Sequence, residues 1–61
     1  MLGQRLKQLR LARGMSLDAL AAALGGAVTK QALSKYELDK ASPSPRVLAL
    51  LASALGVKAA Q

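Results

Sequence analysis

An all-α fold is what this sequence predicts, and three observations predict it. Apolar residues make up 52% of the chain, yet they are nearly all Leu, Ala and Val, with no Phe, no Trp and a single Tyr, Tyr36. Poor in aromatic and β-branched side chains, that inventory favours thin helices in close contact over a sheet. The leucines then recur at helical spacing in four separate stretches, and Ser, Thr, Gly and Pro stand where helix ends need them. At 61 residues the chain makes one domain. A domain this short buries only about 60% of its unfolded surface, so its core has to be used efficiently.

The first helix is expected over residues 2–13. Leu2, Leu6 and Leu9 fall at i, i+4 and i+7, with Arg5, Lys7, Arg10 and Arg13 around them. Gly14 ends it as a left-handed residue at C′ would, and Met15 then drops towards the core. Ser16 caps a second helix over 17–24, carried by Leu17, Leu20, Ala21 and Leu24. Asp18 sits in its first turn, where the helix dipole favours an acid. Gly25 and Gly26 break this helix. Thr29 caps a third over 30–38, whose inward residues are Ala32, Leu33 and Tyr36. The connector "DKASPSP" follows, and Ser44 with Pro45 reads as N-cap then N1 of a fourth helix over 45–55. That helix carries Val47, Leu48, Leu51 and Leu55 and stops at Gly56.

Charge narrows the function. Nine basic residues against three acidic ones leave a net charge of +6, which attracts phosphate backbones or anionic surfaces. Cys and His are both absent, so no disulfide and no thiolate or imidazole metal site is possible, and the usual catalytic base or nucleophile is missing. Asp18, Glu37 and Asp39 are assigned local structural roles. The expectation is therefore a non-enzyme without cofactor or metal. "GGAVTK" lacks the spacing of a nucleotide P-loop, and no strand precedes it. No apolar run approaches the roughly 18 residues of a membrane span, and no signal-peptide pattern is present. A cytoplasmic protein working at the nucleoid is expected.

The second and third helices have the layout of a helix-turn-helix. Ala21 is small where two helices cross closely, Gly25 permits the turn, and Leu33 fills the space between them. Left outward on the third helix are Lys30, Gln31, Ser34 and Lys35, an amide, a hydroxyl and two ammonium groups with no acid among them. Gln can pair bidentately with adenine, and Lys can donate to the acceptors of guanine in the major groove. Lys40, directly after that helix, is a candidate for phosphate, together with the cap hydroxyls of Ser16 and Thr29.

The stretches "RLKQLRLARGMSLDALAAALG", "VTKQALSKYE" and "SPRVLALLASALGV" resemble the Cro and phage-repressor-like (XRE) helix-turn-helix domains. That resemblance implies a lambda-repressor-like bundle of four or five helices binding operator DNA, usually as a two-fold homodimer. It implies base-reading positions for Lys30, Gln31 and Lys35. It also implies an ion pair between Arg10 and Glu37 that braces the recognition helix while holding Arg10 near a phosphate. The chain departs from the family pattern in places. Leu17 stands where the family has a phosphate-touching Gln. "GGAV" is longer than the shortest turns, and Asp39 replaces the usual Gly after the third helix. After Val57 only "KAAQ" remains where relatives place a fifth helix. Either the fold is complete at four helices as a single domain over 1–61, or, as the apolar side left on the fourth helix favours, that domain is the front piece of a longer regulator.

Two other readings stay beside this one. The chain could be a protein-interaction module, of antitoxin or anti-repressor type, using the same shape without DNA. A basic membrane-surface peptide is disfavoured, because Gly14, Gly25, Gly26 and "SPSP" cut the chain into short helices that pack on one another.

Overall fold

The computed structural model describes residues 2–57, which form four helices in the order α1 (Leu2–Ala12), α2 (Leu17–Ala23), α3 (Lys30–Glu37) and α4 (Pro45–Leu55). The "KAAQ" tail, with Lys58, lies outside the described residues. Three helices end one residue earlier than the periodicity suggests, at Ala12, Ala23 and Glu37. Leu24 and Leu38 have left helical geometry, with ψ of 6° and 3°, and serve as C-caps. Their N–H groups still donate to the carbonyls of Leu20 and Ser34, each at 3.1 Å.

The N-termini are closed by side chains. Ser16 Oγ accepts from the Ala19 N–H at 3.0 Å, Thr29 Oγ1 from the Ala32 N–H at 3.1 Å, and Ser44 Oγ from the Val47 N–H at 3.2 Å. Each satisfies a donor that the helix itself cannot reach. The C-termini share one pattern. A left-handed residue follows the cap in α1, α2 and α3 and is itself the cap, Gly56, in α4; its N–H and the next one turn back to two carbonyls of the last turn. In α1 these bonds are Gly14 to Leu11 (2.9 Å) and Met15 to Arg10 (3.1 Å); in α3 they are Asp39 to Tyr36 (3.1 Å) and Lys40 to Lys35 (2.9 Å).

The core is a leucine cluster of Leu6, Leu20, Leu24, Val28, Leu33, Leu51 and Leu55. Leu20 and Leu33 are wholly buried, at 0% exposure, and Leu33 is the residue through which α3 plugs into the bundle. Met15, Leu17, Ala21, Ala32 and Tyr36 pack around the cluster at half-burial. The α3 helix packs against both α1 and α2, so its inner side is fully occupied. The long turn before it is accommodated by two consecutive left-handed glycines, Gly25 (φ 67°) and Gly26 (φ 78°), and by Val28, which is 6% exposed and anchors the turn in the core. A residue with a Cβ would be strained at both glycines.

On the other side of α1, Leu2, Leu6, Leu9, Leu48, Leu51 and Leu55 border an open apolar recess of about 400 Å³ between α1 and α4. Its lining includes no residue of α2 or α3.

Candidate nucleic-acid interface

Because α3 buries Leu33 and half-buries Ala32, Tyr36 and Glu37, the opposite arc faces outward. At about 100° per residue, Lys30, Ser34, Gln31 and Lys35 fall within roughly 140° of the helix circumference. Lys30, Gln31 and Lys35 are exposed and Ser34 is half-buried. Ser34 lies at the edge of a shallow depression that it shares with Gln4 and Lys7 of α1, Leu17 of α2, and Leu38. The Thr29 and Ser16 hydroxyls are spent as acceptors in the two caps, which leaves each O–H free to donate outward. Lys40 is exposed immediately beyond α3.

The three acids are each held away from that arc or paired beside it. Glu37 is drawn inward by Arg10: Nε donates to Oε2 at 2.6 Å and Nη2 to Oε1 at 3.1 Å, a bidentate pair. A third bond, Arg10 Nη1 to the Met15 carbonyl at 2.8 Å, ties the same guanidinium to the loop before α2. The hydrogen bond to Glu37 raises the Arg10 pKa above its ordinary value, and this outweighs the opposing effect of burial. Asp39 is turned towards the first turn of α1, where its Oδ1 accepts from the Gly3 N–H at 3.1 Å. Asp18 stands 3.6 Å from the Lys30 ammonium, with both groups well exposed. An exposed pair of that kind contributes about 0–1 kcal/mol and is screened by salt, so Lys30 can leave it readily.

Placement thus separates the candidate residues. Lys30, Gln31, Ser34 and Lys35 come together on one helix edge, flanked by Thr29 before it and Lys40 after it. Arg10 does not join them: it is 8% exposed, and its guanidinium is turned inward to Glu37 and the Met15 carbonyl. Two contributors escape the sequence reading. Leu38, 62% exposed, projects at the C-terminal end of α3. Gly3 is buried in α1, and a Cβ there would stand 2.5 Å from the backbone oxygens of Tyr36 and Glu37. A glycine inside a helical pattern is itself a signal of close backbone approach, since it weakens the helix that carries it.

Among the described residues no cluster of His, Cys, Asp or Glu could hold a metal ion, and no helix is long and apolar enough to cross a membrane. Two short helices joined by a glycine turn, the second offering a polar and cationic edge, define a helix-turn-helix unit. The chain belongs to the helix-turn-helix family of the Cro and phage-repressor (XRE) type, whose model matches residues 6–61. It is 42% identical over 57 residues to the SPbeta prophage-derived uncharacterized HTH-type transcriptional regulator YonR of Bacillus subtilis (strain 168). That match covers 93% of this chain and 51% of the relative, so the chain spans about half the length of the curated relative it matches. No solved structure is significantly similar to it.

Proposed function

We propose that this chain is the sequence-specific DNA-binding domain of a bacterial or phage transcriptional regulator. The observation that carries the reading is the outer edge of α3, where four hydrogen-bonding side chains stand together with no free acid among them. In this reading α3 enters the major groove. Gln31 pairs with an adenine edge, Lys30 and Lys35 donate to guanine acceptors, and Ser34 donates or accepts at closer range. Ser16, Thr29 and Lys40 hold the phosphates on either side, and the net charge of +6 supplies encounter rate and most of the affinity. The family membership and the printed name of the YonR relative, an HTH-type transcriptional regulator, support the same reading.

Operator binding as a homodimer is part of the proposal. Recognition helices on the two halves of a palindrome lie about 34 Å apart, one turn of DNA. The domain measures 25 × 24 × 21 Å, so two copies fit beside each other within that spacing. Selection from random duplex DNA, with excess nonspecific competitor, tests the whole reading. A palindromic consensus is expected. No enrichment over the input pool would defeat it and leave the protein-interaction reading standing.

Two substitutions separate reading from holding. Gln31→Ala is expected to cost roughly 1–3 kcal/mol on the selected operator and to relax preference at one base position. Equal weakening on operator and scrambled duplex would remove Gln31 from the readers. Lys40→Ala is expected to weaken all duplexes alike and to flatten the slope of log K against log salt by about 0.9. An unaltered slope would take Lys40 off the phosphate.

A further inference from the structure

All four helices end with a left-handed residue at the C-cap or just after it, and three of them use glycine: Gly14 (φ 67°), Gly25 (φ 67°) and Gly56 (φ 72°). The recognition helix alone uses a residue with a side chain, Asp39 at φ 59°. Left-handed backbone is unfavourable for any residue with a Cβ, and Asp is one of the few that tolerate it. An acid is also the wrong charge for a position just beyond a DNA-reading helix. The side chain must therefore contribute something that glycine cannot.

What it contributes is a link between helices. Asp39 Oδ1 accepts from the N–H of Gly3, 36 residues away, at 3.1 Å. Gly3 lies in the first turn of α1, whose N–H groups have no partner within the helix and mark its positive end. At the same place the α1 backbone rests directly on the last turn of α3, since a Cβ on Gly3 would lie 2.5 Å from the oxygens of Tyr36 and Glu37. Two turns further along the same buried stripe of α1, Arg10 grips Glu37. The end of α3 is thus held at Glu37 and Asp39 by two residues of α1, Arg10 and Gly3, which stand about 10 Å apart along the α1 axis. Leu33 seats the middle of α3 in the core and Val28 anchors the turn before it, so the two holds at the C-terminal end add a restraint on how the outer edge is presented there.

We infer that Asp39 is a positioning residue for the recognition helix, acting through the Gly3 N–H of α1, and that it serves discrimination between operator and nonspecific DNA. This rests on the DNA reading proposed above. Nonspecific binding needs only the positive field, which tolerates a tilted α3. Base contacts need the edge of α3 held to within a fraction of an ångström.

The test compares Asp39→Gly with Asp39→Asn in the full chain. Both remove the same negative charge, so any electrostatic gain on DNA is common to them. Asn keeps an acceptor oxygen and tolerates the left-handed backbone. Gly relaxes the backbone and abolishes the link. Circular dichroism melts establish that each variant is folded, and binding is measured on the selected operator and on scrambled duplex. Asp39→Asn is expected to keep the operator-to-scrambled ratio within about twofold of the parent, and Asp39→Gly to lower it about fivefold or more. Amide exchange at Gly3 is expected to quicken in Asp39→Gly and stay slow in Asp39→Asn. A ratio retained in Asp39→Gly, an equal fall in both variants, or unchanged Gly3 exchange in Asp39→Gly would overturn the inference. A parent protein with no preference for any duplex would defeat the DNA reading, and Gly3 exchange alone would then decide whether the link exists.

Discussion

An Arg10→Ala variant is expected to lose roughly 3–5 kcal/mol of folding stability, as when one partner of a buried ion pair is removed. The size follows from what stays behind. The Glu37 carboxylate would remain in a site where its side chain is 6% exposed, having lost both hydrogen bonds from the guanidinium. The Met15 carbonyl would lose its donor too. A domain of this length has a total stability of only about 3–9 kcal/mol, so the loss takes a third of it or more and unfolds the variant at the lower end of that range. Urea titration followed by circular dichroism measures the loss. Removing both charges in Arg10→Met with Glu37→Met should recover most of it, because the carboxylate is no longer stranded. A single variant within about 1 kcal/mol of the parent would show that the pair is solvated and not the brace described here.

Leu33→Ala is expected to cost about 2–5 kcal/mol. Leu33 is fully buried at the place where α3 meets α1 and α2, so truncation leaves a cavity that three helices would have to close together. Closing it would pull α3 inward and rotate its outer edge, so affinity for operator should fall further than stability alone requires. Leu33→Met, which nearly conserves volume, should cost less than about 1.5 kcal/mol. Chemical denaturation of the two variants is the check. A Leu33→Ala loss below about 1 kcal/mol would mean that the space between the helices is not tightly packed.

The scaffold could be read from the residues because each element is specified locally. Ser16, Thr29 and Ser44 cap helices that leucine spacing had already located, and Gly14 and Gly56 close them. The outer edge of α3 was legible for the same reason, since Ala32, Leu33 and Tyr36 define the inner side by their spacing alone. The Arg10–Glu37 partnership came from resemblance, not from spacing, because no local rule links residues 27 positions apart. The Asp39–Gly3 link was hidden for that reason as well. Sequence assigned Asp39 a local structural role where the family has Gly, which its φ of 59° agrees with, but the destination of its carboxylate depends on how α1 crosses α3. The resemblance implied the Arg10–Glu37 pair but also held Arg10 near a phosphate; the third bond, to the Met15 carbonyl, and the burial of the guanidinium follow only from the packing.

Whether α3 presents residues 30–35 to DNA is tested most directly by amide chemical shifts during titration with the selected duplex. The largest changes are expected on Lys30, Gln31, Ser34 and Lys35, with smaller ones at Ser16, Thr29 and Lys40. Changes confined to the α1–α4 recess around Leu2, Leu48 and Val57, with residues 30–35 silent, would contradict it.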